Sequence, residues 1–259
     1  MVAIQAPREV FDIGRVTQRT FEVIGRNIVP FGIITLLLAG VPTALLTWWQ
    51  MTTVTAGPLP HAQLQVTVVS LIVNLALFGV LQASIVYGSI RDLEGRRPAL
   101  GEMAMAGLRT AVPAIGVGIL FSLAVAFGTI LFIVPGVMLA CAWIVALPVA
   151  VVERTGIFAA FGRSSELTKG SRWRIFGLLV VYFLILLLVG LVVGGLSGGL
   201  LHPARMPLGG AGLAPTLVTN LVVNVAYYLI ATTLVAVIYQ ELRTIREGVS
   251  PADLAGVFD

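Results

Sequence analysis

Residues 148–174 read PVAVVERTGIFAAFGRSSELTKGSRWR, and this stretch shows how the whole chain is built. An apolar run ends at Glu153, an amphipathic segment follows, and a basic cluster around Trp173 leads into the longest apolar run of the sequence. Short charged segments between long apolar runs are typical of the connections between transmembrane helices, where Lys and Arg set the orientation. The stretch therefore predicts a membrane protein.

The composition supports the same interpretation. Of 259 residues, 58% are hydrophobic and 11% charged, and the mean hydropathy is +1.01. Soluble domains carry about 25% charged residues. We predict an all-α polytopic membrane protein, a single domain of residues 1–259, in which Pro42 kinks the first span and Pro135-Gly136 forms a tight turn. The six predicted spans are 27–49, 65–90, 110–134, 137–152, 175–200 and 216–239.

Three amphipathic segments precede pairs of spans, around residues 8–26, 98–109 and 157–169. Apolar side chains share one face of each, so we expect interfacial helices that lie in the membrane plane. The spacing from Arg15 to Arg26 equals that from Arg163 to Arg174, and spans two and six share a pattern. We interpret the chain as three parallel repeats, each a cytoplasmic amphipathic helix followed by a transmembrane hairpin.

The distribution of basic residues predicts the orientation. Arginine and lysine cluster in the amino-terminal segment, the second and fourth connections and the tail, whereas the predicted opposite side holds Arg205 alone. By the positive-inside rule, both termini are cytoplasmic. The formal net charge of +4 reflects these flanking segments, so no nucleic-acid partner is expected.

Cationic side chains at the ends of amphipathic helices favour contact with lipid headgroups, including anionic ones, or with a partner protein. Trp173 suits the same depth of the membrane. The predicted contact residues are Arg15, Arg19, Arg26, Arg163, Lys169, Arg172, Trp173 and Arg174.

A structural ion pair is expected for Glu153, with Arg163 or Arg109 as its partner; a proton-handling role is the alternative. Asn74 and Asn224 are intramembrane amides, predicted to form interhelical hydrogen bonds or, alternatively, to line a substrate path.

Small residues on span five predict close helix packing, within the chain or between two copies. They are Gly190, Gly194 and Gly198.

No catalytic, cofactor-binding or metal-binding pattern is present in the sequence. His61 and His202 lie in loops without nearby Cys or carboxylate ligands, and no phosphate-binding glycine loop or nucleophile motif occurs. The sequence therefore predicts no enzyme and no cofactor or metal ion.

The runs PGVMLA, PVAVVERTG and FGRSSELTKGSRW, with the opening FDIGRVTQRTFEVIGRN and the ending YQELR, resemble a bacterial family. It is the membrane domain attached to glycerophosphoryl diester phosphodiesterases, with related YciC-like inner-membrane proteins. The resemblance covers nearly the whole chain and is most specific across Pro135–Trp173. It implies a six-span module of a bacterial inner membrane and carries no phosphodiesterase activity, which belongs to a separate soluble domain.

Two functions remain open at this stage. The first is a non-enzymatic membrane scaffold that binds lipid or partner proteins. The alternative is a transporter or channel-like protein for a small or amphiphilic substrate. A solvent-lined cavity reaching Asn74 and Asn224 would favour transport, whereas a dry bundle packed through glycines would favour the scaffold.

Overall fold

The structure is a computed structural model that describes residues 11–55, 60–196 and 213–248. Within these residues every regular element is a helix, which confirms the all-α prediction. The helices are α1 (Ile13–Arg26), α2 (Ile28–Thr35), α3 (Val41–Thr55), α4 (Pro60–Leu93), α5 (Leu100–Arg109), α6 (Ala111–Leu131), α7 (Ile133–Trp143), α8 (Ala146–Val152), α9 (Ile157–Thr168), α10 (Arg172–Leu196) and α11 (Leu213–Glu247). A π-helical turn, Leu36–Gly40, joins α2 to α3.

Six helical stretches of the described chain are long and apolar enough to cross a membrane, as predicted. A short helix precedes each successive pair of them, namely α1, α5 and α9. The order of elements thus has the form expected of three groups, while their equivalence as repeats stays a prediction. The stretches are Ile28–Leu46, Leu64–Leu93, Ala111–Leu131, Ile133–Val152, Arg172–Val192 and Leu221–Glu247.

The reversal between the third and fourth spans differs from the predicted Pro135-Gly136 turn. Phe132 alone is extended, and Pro135 already lies in the first turn of α7. Proline is tolerated there because the first helical N–H groups have no intrahelical acceptor. Gly136 packs against Thr129: a Cβ at Gly136 would lie 2.2 Å from the Thr129 hydroxyl oxygen. Pro135 and Gly136 therefore lie within α7, and Gly136 allows close contact with α6 instead of forming the turn.

The first span is distorted just before Pro42 rather than at it. The π-helical turn ends at Gly40, and α3 resumes at Val41. Proline has no N–H to donate to the carbonyl four residues earlier, and its ring crowds that carbonyl, so the helix widens on the amino-terminal side. Gly40 also lies close to Leu221 of α11, where a Cβ would approach the leucine side chain to 2.6 Å.

The fourth span is broken into α7 and α8 at residues 144–145. Pro148 cannot donate to the Ile144 carbonyl, which weakens the helix at this point. The carbonyl of Ala142 accepts hydrogen bonds instead from Ser164 (2.9 Å) and Thr168 (3.1 Å) of α9. The break therefore docks α9 against the span, with both hydroxyl-bearing residues buried.

The apolar faces of α1 and α9 are largely covered by protein. Val16 and Val23 of α1 and Leu167 of α9 are buried, and α1 packs mainly on α11. Phe21 and Phe158 are the exposed members of the two faces, at 55% and 81%. Most of the apolar face of each helix therefore packs on the bundle, whereas we expected these faces to point into the membrane.

One end of the bundle collects the charged segments, and we call it the basic end. It comprises α1, residues 94–99, residues 153–156, α9, the first turn of α10 and the last turns of α11. Ion pairs connect its parts across the chain: Arg19 with Glu241, Arg26 with Asp92, and Arg163 with Glu247. Outward-facing apolar side chains dominate the spans beyond this end.

Candidate functional site at the basic end

Glu241 holds the first helix of the chain against the last. Its carboxylate is 2% exposed and accepts from Arg15 Nη1 at 3.2 Å and from Arg19 Nη1 at 2.9 Å. A buried carboxylate needs charged donors of this kind to offset its lost hydration. Two of the predicted lipid-contact arginines are therefore engaged inside the protein.

Arg26 forms a second intramolecular pair. Its Nη2 and Nε donate to Asp92 Oδ2 at 2.7 and 3.2 Å, while the buried Asn27 amide donates to Asp92 Oδ1 at 2.7 Å. Glu22 is a weaker partner at 3.9 Å. The hydrogen bond to Asp92 raises the pKa of Arg26 above its ordinary value.

Glu153 lies in a network that joins α8, α9 and α11. Arg163 Nε donates to Glu153 Oε2 at 3.2 Å, and the Tyr239 hydroxyl donates to Glu153 Oε1 at 2.9 Å. Arg163 also binds Glu247, which accepts from Arg243 Nε at 2.9 Å. Burial opposes the charge of Arg163, but Glu153 and Glu247 outweigh it and raise its pKa. Of the two expected partners of Glu153, the structure places Arg163 beside it.

Arg109 lies elsewhere, with Arg154, around a cavity of about 240 Å³. Both arginines are exposed, and neither has an ion-pair partner among the described residues. Arg154 has a φ of 52°, a left-handed conformation that is uncommon for a residue other than glycine. The turn that ends α8 therefore directs Arg154 away from the Glu153 network.

The remaining predicted contact residues divide into a packed arginine and three exposed side chains. Arg172 is half-buried and donates from Nη2 to the Ser165 carbonyl at 3.4 Å. Trp173 is 73% exposed, and its sequence neighbours Lys169 and Arg174 are exposed as well. Arg174 Nη1 donates to the Phe11 carbonyl at 3.4 Å. Lys169, Trp173 and Arg174 are thus exposed, and neither of the two cations has an ion-pair partner among the described residues.

Sequence reasoning missed Glu241 and Asp92, the two carboxylates that bind α1. Both lie close to the carboxyl ends of long apolar runs, in IYQEL and SIRDL. A carboxylate that close to an apolar run indicates a nearby cation. The identity of that cation could not be read from the sequence, because Arg19 lies more than 200 residues before Glu241.

The two intramembrane asparagines are exposed in the chain rather than buried. The Asn74 amide donates to the Ser70 carbonyl of its own helix at 2.9 Å, and its side chain lines a cavity of about 220 Å³ with Phe78 and Tyr228. Asn224 is not among the residues that line this cavity. In the described structure Asn74 therefore forms a hydrogen bond within its own helix, whereas we expected one between helices.

The glycines of span five and the two histidines are only partly described. A Cβ placed at Gly190 would meet nothing within 4 Å. The surroundings of Gly194 and of the His61 side chain lie outside the described part of the chain, as do Gly198 and His202. Packing through Gly190 between two copies stays a prediction. Among the described residues, no group of three His, Cys, Asp or Glu side chains could hold a metal ion.

The sequence was also compared with known proteins. The family model described as the membrane domain of glycerophosphoryl diester phosphodiesterase matches residues 113–246, just over half of the chain. The chain belongs to this family. No curated protein and no solved structure matches it.

The family assignment supports a multi-pass membrane protein, together with the six apolar helical stretches. The matched segment of the phosphodiesterase membrane-domain family runs from α6 to the last turn of α11. It includes Glu153, Arg163 and Tyr239 of the Glu153 network, whereas Glu247 lies one residue beyond it. It also includes Pro135–Trp173, where the resemblance is most specific, whereas α1 lies outside it. The matching family describes a membrane domain, not a catalytic one.

Proposed function

We propose that this protein is a non-enzymatic scaffold of a bacterial inner membrane, whose basic end faces the cytoplasm and binds anionic lipid headgroups. In this proposal both termini are cytoplasmic, and three repeated units each place a short amphipathic helix at headgroup depth. A partner protein recruited to the same basic end is the related possibility. Family membership supports the membrane location, and the geometry of the basic end supports the ligand.

The observation that carries the proposal is the exposed group Lys169, Trp173 and Arg174. Four other predicted contact arginines are held by carboxylates, so their charge is largely neutralised within the protein. Lys169 and Arg174 have no ion-pair partner among the described residues and lie on either side of the exposed Trp173 in the sequence. Arg174 donates to the neutral Phe11 carbonyl, which leaves its charge unbalanced. Cations beside an exposed tryptophan match the chemistry of the headgroup layer, where each Lys or Arg contributes about 1 kcal/mol.

Lipid retention by the purified full chain tests the proposal. We expect more bound phosphatidylglycerol than phosphatidylcholine by native mass spectrometry from mixed micelles, and a smaller difference for the double variant K169Q/R174Q. Arg205→Gln is the matched control, because it removes one cation from the predicted opposite side. Equal retention of the anionic and the zwitterionic lipid by the unmodified protein would remove the proposal and leave these cations as topology signals.

A second candidate, transport of a small amphiphile, is favoured by one observation. The cavity at Asn74 opens within the spanning region, beside the π-helical turn, and Leu38 and Ala39 of that turn line it. π-helical turns occur frequently at functional sites. Transport of a fluorescent short-chain phospholipid across proteoliposomes, lost in Asn74→Leu and kept in Ser122→Ala, would support this candidate over a scaffold.

A further inference from the structure

A cavity of about 450 Å³ at the basic end lies between α1, the carboxyl end of α4 and α11. Arg19 and Arg26 line it from α1, Arg96 and Arg97 from the segment after α4, and Thr244 from α11. Pockets that hold small ligands typically measure about 300–1,000 Å³. Neither Arg96 nor Arg97 belongs to the contact set predicted from the sequence.

The four arginines that line the cavity differ in how they are held. Arg19 and Arg26 are oriented by carboxylates, Glu241 and Asp92, whose side chains are 2% and 8% exposed. Such pairs fix the positions of their guanidinium groups before any ligand arrives, and this lowers the entropy cost of binding. The inner wall of the cavity is thus preorganised.

Arg96 and Arg97 are exposed and have no ion-pair partner in the described part of the chain. Asp92 and Glu22 also line the cavity but bind Arg26, so the carboxylates do not neutralise the outer pair. Two adjacent guanidinium groups repel one another unless an anion lies between them.

The backbone holds this arginine pair in place. Gly95 has a φ of 78° and donates to the Asp92 carbonyl at 2.9 Å, while the Arg96 N–H donates to the Arg91 carbonyl at 2.9 Å. This pair of hydrogen bonds is the Schellman motif, which ends helices on a left-handed glycine. Pro98, which is buried, follows directly. The chain is therefore fixed on both sides of Arg96 and Arg97.

We propose that this cavity is a binding site for the phosphodiester anion of a glycerophospholipid headgroup, with Arg96 and Arg97 as the residues that contact the phosphate. Guanidinium groups offer paired N–H donors that match phosphate oxygens. The mixed wall, in which Glu22 and Thr244 can accept hydrogen bonds, suits the polar remainder of a headgroup. This inference rests on the proposed lipid-binding function and assigns it a second, separate site.

The test compares two double variants of the full chain that remove equal charge. R96Q/R97Q removes the cavity pair, and K169Q/R174Q removes the exposed pair near Trp173. We expect R96Q/R97Q to retain about tenfold less phosphatidylglycerol in micelles, and K169Q/R174Q about twofold less, because exposed charges outside a formed site are screened. Phosphatidylcholine retention and thermal stability should not change in R96Q/R97Q, since both arginines are exposed and have no ion-pair partner among the described residues.

Three results would contradict the inference in distinguishable ways. Unchanged phosphatidylglycerol retention in R96Q/R97Q, with a loss in K169Q/R174Q, overturns the cavity site but leaves the proposed function standing. Equal losses of phosphatidylglycerol retention in both double variants would show that retention depends on total charge and not on the cavity. If the unmodified protein retained anionic and zwitterionic lipids equally, both the cavity site and the proposed function would be wrong.

Competition identifies the source of the phosphate. Millimolar glycerol 3-phosphate or inorganic phosphate should leave phosphatidylglycerol bound, because the soluble anions lack the acyl chains that keep a lipid at the site. If either anion displaced phosphatidylglycerol from the unmodified protein, and had no such effect on R96Q/R97Q, the ligand would be a soluble phosphate. That result would overturn the lipid assignment.

Discussion

Arg19 donates to Glu241 over 2.9 Å, and this contact fastens the first described helix of the chain to the last. Arg15 donates to the other oxygen of the same carboxylate. The arginine side chains are 37% and 43% exposed, while Glu241 is 2% exposed, so these ion pairs lie at the boundary between the protein interior and its surface. Arg15 and Arg19, which the sequence predicts to contact lipid, therefore bind a carboxylate of their own chain.

Replacement of this carboxylate should therefore destabilise the protein. We expect Glu241→Gln to lower the free energy of unfolding by about 1–3 kcal/mol, because two charged donors lose their acceptor. Thermal unfolding in detergent measures the effect. Glu102→Gln is the matched control: Glu102 is exposed and has no ion-pair partner among the described residues. Equal unfolding temperatures for the two variants would show that Glu241 contributes nothing specific.

The Glu153 network gives a second stability prediction. Glu153→Gln leaves Arg163 and the Tyr239 hydroxyl with a neutral acceptor, so we expect a loss of about 1–2 kcal/mol. Glu166→Gln serves as control, because Glu166 is 76% exposed and only 4.0 Å from the same arginine. An unchanged melting temperature in Glu153→Gln, together with lost function in cells, would support a proton-handling role instead.

Close packing of α5 on α4 can be tested at one glycine. A Cβ at Gly107 would lie 2.0 Å from the Ser84 hydroxyl oxygen and 2.6 Å from the Val80 carbonyl oxygen, so Gly107→Ala forces the helices apart. We expect a destabilisation of about 1–3 kcal/mol from this overpacking. Gly101→Ala, on the same helix with nothing within 4 Å, should be neutral or slightly stabilising. A harmless Gly107→Ala would refute the α4–α5 contact.

The orientation prediction is tested with single cysteines in a Cys141→Ser background. Cysteines at Thr53 and Gly210 should react with an impermeant thiol reagent added to intact cells. Cysteines at Glu94 and Glu166, both exposed at the basic end, should react only after the membrane is opened. The reverse labelling pattern would overturn the cytoplasmic placement of the termini.

The purified chain should not hydrolyse glycerophosphodiesters. The reason is the missing catalytic pattern in the sequence and the membrane-domain character of its family. Release of glycerol 3-phosphate from glycerophosphocholine, measured in a coupled assay, checks this. Activity that disappears on replacement of His61 or His202 would contradict the prediction, whereas activity unaffected by both would point to a contaminating enzyme.

Several features followed from local sequence. Apolar runs of about 20 residues predict spans because the free energy of membrane insertion depends on the composition of each run. The order of short helices and spans, and the distortion near Pro42, likewise depend on neighbouring residues. Pro135-Gly136 misled the prediction because a proline-glycine pair suits both a turn and the first turn of a helix; the partner surface at Thr129 decided between them.

The role of each arginine, by contrast, was decided by tertiary structure. The sequence determined that the cations gather at one end, because their spacing along the chain places them beside the apolar runs. It could not separate Arg19 and Arg26, which are bound by carboxylates, from Arg96 and Arg97, which no carboxylate of the described residues binds. An ion pair requires two side chains within about 4 Å, and the Glu241 carboxylate reaches Arg19 only when α11 packs on α1.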